Sequence, residues 1–255
     1  MSENYYKFII IGICGILMFS VVLFAPSSLY AELNRAGKPA PGVFGVNLGY
    51  YSGPNMSNYV DYLNNYYGDL GSSNRMDDFA GRLALTLWFK SFFSSHFAYG
   101  FFLTMGGFST DQVFEYHNEQ ETQSFQAYEE YRLKTAQIGF DFTYSPVNTK
   151  KSRLIPFVSA GGLVSSGTME VFYSNYTDPG LDLLQSLGYR ENDINIGYKL
   201  AAGLIYPVSD RFAISFDTEF VDSRLNFDAN FDEGSDIDMT NRQWFTGIGV
   251  SYFYR

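Results

Sequence analysis

Apolar and polar residues alternate with a period of two along most of the chain beyond residue 41. The clearest example is a pair of runs that meet at 206–210. The apolar side of the first run consists of Ile194, Ile196, Tyr198, Leu200, Ala202, Leu204 and Tyr206, opposite small or charged residues that include Lys199. In the second run Phe212, Ile214, Phe216 and Phe220 alternate with Ala213, Ser215, Asp217 and Glu219. Because side chains alternate across a strand, each run predicts a strand with one oily face and one small-or-charged face.

The same alternation predicts eight strands, joined by connections that are in turn long and short. The predicted strands cover 42–51, 79–93, 97–109, 128–144, 153–173, 192–206, 211–223 and 241–254. Two of the long connections contain segments that could form a helical turn, SNYVDYLNNYYGDL and LDLLQSLG, and the connection over 110–127 is acidic. An even number of strands with alternating short turns and long loops is typical of bacterial outer-membrane barrels. The pattern therefore predicts an all-β fold, an eight-stranded antiparallel up-and-down transmembrane β-barrel.

A soluble barrel of the lipocalin type, or a β-sandwich, is the alternative fold. In those folds the oily face points inward and the exterior is charged. Here the faces opposite the oily ones are rich in Gly, Ala, Ser and Thr, which suits a narrow interior and makes a poor soluble surface. Aromatic residues also cluster near both ends of the predicted strands, as girdles at two membrane interfaces require. The predicted girdles are Phe89, Phe92, Phe93, Phe97, Tyr144, Phe157, Tyr206, Phe212, Tyr252 and Tyr254 at one end, and Phe108, Phe172, Phe220 and Trp244 at the other.

Composition agrees with a membrane barrel and excludes several other classes. Aromatic residues make up 19% of the 255 residues and charged residues only 17%. The mean hydropathy of -0.12 is too low for a protein that crosses the membrane with several helices. The net charge of -10 argues against a nucleic-acid partner, which needs a basic surface. Cys14 is the only cysteine, so the chain has neither an internal disulfide nor a cysteine-based metal site.

Residues 8–25 are continuously apolar, and Leu29, Tyr30 and Ala31 follow as a plausible cleavage site. This pattern predicts a secretory signal peptide over 1–31 and an exported outer-membrane barrel domain over 32–255. An uncleaved membrane helix is the alternative, because the apolar run lies at the lower edge of the length that spans a bilayer.

Three segments carry a resemblance to a known group of proteins. IPFVSAGGL at 155–163, IGYKLAAGLIYPVSDRFAISFDTEF at 196–220 and FTGIGVSYFY at 245–254 resemble strands of the small eight-stranded outer-membrane proteins, the group of the OmpA transmembrane domain, OmpW and the opacity proteins. The similarity covers the strands and not the loops, so it implies fold and location more than activity. Members of this group usually end in an aromatic residue that the barrel-assembly machinery recognises. This chain ends Phe253, Tyr254, Arg255, which shifts that signal by one residue or weakens it.

Charged residues on the predicted inner faces are the first candidates for function. They are Arg82, Lys90, Asp141, Lys199, Asp217 and Glu219. If the hairpin turns near 208–209, Lys199 lies opposite residues 217–219, which predicts a cross-strand ion pair. An eight-stranded interior holds only its own side chains or a small ligand. We therefore expect three basic and three acidic groups to neutralise one another in a polar plug, with a gate that opens when the pairs exchange as the alternative.

The acidic segment DANFDEGSDID at 228–238 is a candidate calcium site, with Asp228, Asn230, Asp232 and Asp236 as ligands at alternate positions. The match is defective, since Glu233 replaces the turn glycine and Met239 replaces the bidentate glutamate, so a solvated acidic loop is the alternative. No other cofactor is expected. Catalysis is not expected either, because His96 falls in a predicted turn at the periplasmic end and His117 has no serine nucleophile motif beside it.

The first long connection is rich in Tyr and Asn, at Tyr59, Tyr62, Asn64, Asn65, Tyr66 and Tyr67. This composition suits surface recognition, or else packing over the mouth of the barrel or against lipid head groups. The predicted function is an envelope-structural and surface-interaction role; the alternative is a narrow channel for small or hydrophobic solutes, as suggested for OmpW-like relatives. The expected partners are outer-membrane lipid and lipopolysaccharide, the assembly machinery during insertion, and a ligand on a host or other cell surface.

Overall fold

The computed structural model describes residues 42–117, 124–149, 152–176, 183–209, 211–227 and 237–254. Within them lie β1 (Gly42–Tyr51), a helix α1 (Ser57–Asp69), β2 (Arg82–Phe92), β3 (Phe97–His117), β4 (Ser124–Tyr144), β5 (Ile155–Tyr176), β6 (Leu183–Pro207), β7 (Phe212–Phe227) and β8 (Ile237–Tyr254). Each strand pairs with the next in antiparallel fashion, and β1 also pairs with β8, which closes a barrel. The predicted fold class is confirmed. The predicted signal peptide at 1–31 lies outside the described residues.

The alternation of residue types in the sequence becomes an alternation of burial around this ring. On β7, Ala213, Ser215, Asp217 and Glu219 are buried in the lumen, whereas Phe212, Ile214 and Phe216 are exposed on the outside. The exposed apolar residues form a continuous band around the barrel, which we call the apolar belt; it includes Val46, Leu48, Leu83, Phe142, Val158, Ile196, Leu200, Phe216, Ile248 and Val250. Ile196, for example, is 78% exposed. An exposed apolar surface of this extent is typical of a protein that faces lipid. Among the described residues, no helix is both long and apolar enough to cross a bilayer.

Aromatic rings crowd the end of the barrel that carries the short turns, which we call the inner end. Phe93, Phe97, Tyr144, Phe212 and Tyr252 are all exposed there. Their rings touch in pairs, with centroids 6.1 Å apart for Phe93 and Phe97, 5.2 Å for Phe97 and Tyr144, and 5.4 Å for Phe212 and Tyr252.

Three of the predicted girdle residues are placed elsewhere. Phe92 and Phe157 at the inner end, and Phe108 at the other, are buried inside the barrel. Clustering near the strand ends predicted these positions, but the side of the strand on which each ring lies decides whether it meets lipid or the lumen.

Strands β3 to β8 extend further at the opposite, outer end than the sequence pattern predicts, whereas β2 begins at Arg82, three residues after its predicted start. β3 and β4 pair as far as His117 and Ser124, so the predicted loop at 110–127 is mostly strand, and that prediction is wrong. The segment LDLLQSLG, in which a helical turn was conceivable, is also largely strand, because β6 begins at Leu183. The ladders between β3 and β4 and between β5 and β6 therefore continue after the apolar belt has ended.

The helix predicted in the first connection is present as α1, and it closes a gap in the wall. β1 ends at Tyr51 and β2 begins at Arg82, so neither reaches the height of the extended β3 and β4. One face of α1 is buried, formed by Tyr59, Val60, Leu63, Asn64 and Tyr67. This spacing brings the five residues to a single side of a helix, which packs against inward-facing residues of the extended strands.

Candidate functional site

Five of the six predicted inner charges meet in the lumen. We call Lys90, Asp141, Lys199, Asp217 and Glu219 the lumen cluster, and all five are buried. Lys199 Nζ lies 3.2 Å from Glu219 Oε1 and 3.6 Å from Asp141 Oδ2. Lys90 Nζ lies 4.0 Å from Asp141 Oδ2 and donates a hydrogen bond of 2.8 Å to Thr143 Oγ1. The two lysines therefore share one aspartate, which lies between them.

Glycines allow Lys90 and Lys199 to reach Asp141 although neither lysine lies on a strand next to that of Asp141. The ladder places Lys90, Gly100, Asp141, Gly161 and Lys199 side by side on five successive strands, in one cross-strand row. Because every second member of the row has no side chain, each lysine can reach Asp141 over the strand between them. A Cβ on Gly161 would collide with the backbone carbonyl of Phe140, so this position also tolerates no larger residue.

Asn47 links the carboxylate of Asp217 to Trp88 and Ser215 on the wall of the lumen. Its Nδ2 donates to Asp217 Oδ1 at 2.7 Å, and its Oδ1 accepts hydrogen bonds from Trp88 Nε1 at 3.0 Å and Ser215 Oγ at 2.9 Å. Aromatic faces add to the stabilisation of the lysines, since Lys199 Nζ lies 3.4 Å from the ring centre of Phe102. The cluster borders a cavity of about 10 Å³, which is about the space that one water molecule needs.

Uncharged residues fill the lumen on both sides of the cluster. Towards the inner end, Val43, Phe92, Ile155, Ile205 and Ala213 are buried beside Ser91 and Ser251. Towards the outer end, the buried aromatic and aliphatic residues Trp88, Phe102, Leu163, Phe245, Tyr51 and Phe108 are interspersed with the buried polar residues Thr86, Thr104, Gln137 and Gln243. Uncharged buried side chains thus separate the layer of charged groups from both ends of the barrel.

Arg82 is the one predicted inner charge that the structure does not bring to the cluster. It has the inward parity of β2 but lies at the outer end of that strand, where its guanidinium is exposed and donates to Ser109 Oγ. The parity of a residue shows on which side of a strand its side chain lies, but not how far along the barrel axis. This explains why Arg82 was predicted to join the cluster and lies at the outer end instead. The predicted contact between Lys199 and Glu219 is present, although the hairpin is centred at residue 210, so Lys199 pairs with Val221 and reaches Glu219 diagonally.

A second buried carboxylate holds the helix α1 over the outer mouth. Glu129 on β4 accepts hydrogen bonds from Tyr67 Oη on the helix at 2.5 Å and from Tyr131 Oη at 2.6 Å. The Tyr67 ring stacks on Phe114 with centroids 4.1 Å apart, and Tyr59 packs edge-on against Tyr131 at 5.6 Å. We call α1 and these contacts the lid.

Burial raises the pKa of Glu129, and the hydrogen bonds from the two tyrosines only partly oppose that effect. Burial, followed by the nearby Glu129, raises the pKa of Tyr131 as well. Sequence reasoning identified the tyrosines of the first connection as candidates but missed Glu129, which it placed in a strand without assigning a side. The only signal was an inward parity shared with Tyr131 and Leu133.

Of the other candidates, the structure locates His96 but not the predicted calcium ligands. The predicted calcium ligands Asp228, Asn230, Asp232 and Asp236 lie outside the described residues. His96 is at the inner end, where its Nδ1 lies 3.0 Å from the backbone oxygen of Ser145. This contact accounts for the histidine as part of a turn.

No protein-family model matches the chain, and no curated protein matches it. Solved structures of barrels are similar to it in fold. The outer membrane protein OprG from Pseudomonas aeruginosa aligns at 11% identity and a TM-score of 0.49, covering 86% of this chain and 97% of its own. Neisserial surface protein A aligns at 11% and 0.45, covering 84% and 97%, and the outer membrane protease OmpT from Escherichia coli at 10% and 0.45, covering 85% and 98%. The fold assignment rests on the closed ring of paired strands in this chain itself.

Proposed function

We propose that this chain is a bacterial outer-membrane β-barrel with a closed lumen, which acts in envelope structure and in interactions at the cell surface. The observation that carries the proposal is the filled interior. Within the described residues, a largely apolar layer, the lumen cluster, a layer of aromatic, aliphatic and uncharged polar side chains, and the lid follow one another along the barrel axis. The apolar belt supports the membrane location, because such a surface is stable in lipid and promotes aggregation in water.

The lumen cluster supports a closed barrel more than a conducting one. Lys90, Lys199, Asp141 and Glu219 are buried and lie in contact with groups of opposite charge, so their mutual attraction offsets the cost of removing them from water. Asp217 accepts a hydrogen bond from Asn47. A solute path would have to separate these contacts and also displace the buried uncharged side chains on both sides. The role in surface interaction is supported by the lid, which places Tyr62 and Tyr66 on its exposed face at the outer end.

Planar-bilayer recording on the purified, refolded chain tests the closed lumen. We expect no conductance above that of the bare bilayer, and no change on Lys199→Ala or Glu219→Ala substitution in those molecules that fold. Stepwise conductance that either substitution alters would overturn the proposal and support the alternative, a narrow channel gated by these residues. Folding is checked independently by the heat-dependent shift in gel mobility of the barrel.

A non-enzymatic role is part of the same proposal. Expression of the chain in an outer membrane should leave the mass spectrum of lipid A unchanged. For surface interaction, cells that display the chain should bind a cell or matrix surface more than cells that display a Tyr62→Ser/Tyr66→Ser variant. Equal binding by the two would remove the lid face from the proposal without affecting the closed lumen.

A further inference from the structure

Charged residues appear on the outside of the barrel directly after the apolar belt ends towards the outer end. On β4, Lys134 and Arg132 follow Ala136 on the same outward face. On β8, Arg242 follows Trp244, which is 58% exposed. Alternation along a strand carries these side chains to the same surface as the belt, at the height where lipid head groups meet the acyl chains.

Three of these cations surround one carboxylate. The ladder places Arg132, Glu170 and Arg190 side by side on β4, β5 and β6. Lys134 Nζ lies 2.9 Å from Glu170 Oε1, and Arg190 Nε lies 4.0 Å from the same oxygen. We call Arg132, Lys134, Glu170 and Arg190 the basic collar.

The cations of the collar project further from the barrel than its carboxylate. The side chains of Lys134 and Arg190 are 64% and 66% exposed, whereas Glu170 is only 17% exposed. Arg132 is held by Glu130 and by the ring of Phe172, whose centre is 4.7 Å from the guanidinium carbon, and it remains 48% exposed. Arg242 and Asp222 on β8 and β7 repeat the arrangement, at 64% and 17%. An approaching ligand therefore meets positive charge first, although each carboxylate keeps the cations in place.

The position of the basic collar at the edge of the apolar belt determines which anions can reach it. The chain as a whole carries a net charge of -10, so it repels soluble polyanions. An anion that is anchored in the membrane reaches the collar without having to approach through the acidic surface. Lys and Arg side chains bind phosphate through charge-assisted hydrogen bonds, and basic surfaces beside a membrane-spanning segment bind anionic lipid head groups.

We propose that the basic collar is a binding site for the phosphate groups of a phosphorylated glycolipid of the outer leaflet. The collar holds the phosphates through Lys134, Arg190 and Arg132, while the acyl chains of the same lipid lie against the belt below. This proposal depends on the outer-membrane location given above, and it names the surface that carries the contact with lipopolysaccharide.

Native mass spectrometry of the full chain, folded in detergent and titrated with bisphosphorylated lipid A, tests the site. The Lys134→Gln/Arg190→Gln variant should bind this lipid about tenfold more weakly or worse. The matched control is Arg153→Gln/Arg211→Gln, which removes the same charge from exposed positions at the inner end and should bind as the unmodified chain does. Lipid A without phosphates should bind the unmodified chain as weakly as bisphosphorylated lipid A binds the collar variant.

Lipid binding by the Glu170→Gln variant distinguishes a phosphate-binding site from a network of ion pairs that only stabilises the barrel. If the collar binds phosphate, loss of the competing carboxylate should tighten binding about threefold or more. Equal binding by the collar and control variants, or binding that Glu170→Gln weakens, would overturn the proposal. Inhibition by inorganic phosphate at concentrations similar to those of the lipid would assign the site to free phosphate, which also overturns it. Failure of the folded chain to insert into lipid vesicles would instead contradict the membrane location itself.

Discussion

Replacing Lys199 by Met should destabilise the barrel far more than the same change at an exposed lysine. The lysine is buried, and it lies 3.2 Å from Glu219 and 3.6 Å from Asp141. At an effective dielectric constant of about 20, each of these distances corresponds to about 5 kcal/mol of attraction, most of which offsets the cost of removing the charges from water. Methionine keeps the length of the side chain and leaves the two carboxylates without this cation. We expect a loss of about 3–5 kcal/mol in the free energy of unfolding.

The measurement is urea-induced unfolding of the chain in phosphatidylcholine vesicles, followed by tryptophan fluorescence. Lys134→Met is the matched control, because that lysine is 64% exposed and its ion pair with Glu170 contributes less than about 1 kcal/mol. The double variant Lys199→Met/Glu219→Gln should recover about 1–3 kcal/mol of the loss, since it removes a carboxylate that the single change leaves unpaired.

Two results would refute this reasoning. A loss below about 1 kcal/mol for Lys199→Met would mean that the lysine is hydrated in the folded barrel and not held in a dry layer. A double variant no more stable than the single one would mean that Glu219 is not the partner whose charge the lysine offsets.

Three further changes test the lid, the belt and the glycine row. The raised pKa of Glu129 means that the folded lid binds a proton more tightly than the unfolded chain does, so lid stability should rise as pH falls from neutral through that pKa and level off near the ordinary glutamate value of about 4.3. Hydrogen exchange of residues 57–69 measured against pH checks this, and Glu129→Gln should abolish the dependence; an unchanged profile in that variant contradicts it. Ile248→Lys, in the belt, should cost about 2–4 kcal/mol in the vesicle assay, and a loss below about 0.5 kcal/mol would argue against a lipid-facing position. Gly161→Val should prevent the heat-dependent shift in gel mobility because its side chain collides with the backbone of β4, whereas Gly162→Val, where a Cβ meets nothing, should fold.

The sequence predicts the barrel well because one periodicity determines both the secondary structure and the two faces. Alternation identified the inward positions of Lys199, Asp217 and Glu219 without any knowledge of the contacts. Alternation does not give the position of a residue along the barrel axis. It therefore could not show that Arg82, which has the correct parity, lies outside the lumen cluster.

Other features depend on strand register, which alternation leaves open. The row that brings Lys90 and Lys199 to Asp141 needs the five strands β2 to β6 to align, and no segment of the sequence contains that information. The small residues Ala160, Gly161 and Gly162 leave the parity of β5 ambiguous in the sequence. The structural role of Gly161 is visible only in the ladder, where it lies between Asp141 and Lys199 and its missing side chain makes room for the lysine.

The distribution of the lumen cluster over the strands has a consequence for how the barrel assembles. Lys90 comes from β2, Asp141 from β4, Lys199 from β6, and the remaining two carboxylates from β7. In the ladder Lys90 lies beside Val43 and Gly100, and Asp141 lies beside Gly100 and Gly161, so no adjacent strand gives either residue a directly paired group of opposite charge. A partly inserted sheet would therefore expose unpaired charges towards lipid, which costs several kcal/mol for each. This cost favours an order in which the strands associate first and enter the membrane together. Only a barrel with all its strands in place then pairs the buried charges and is stable in lipid.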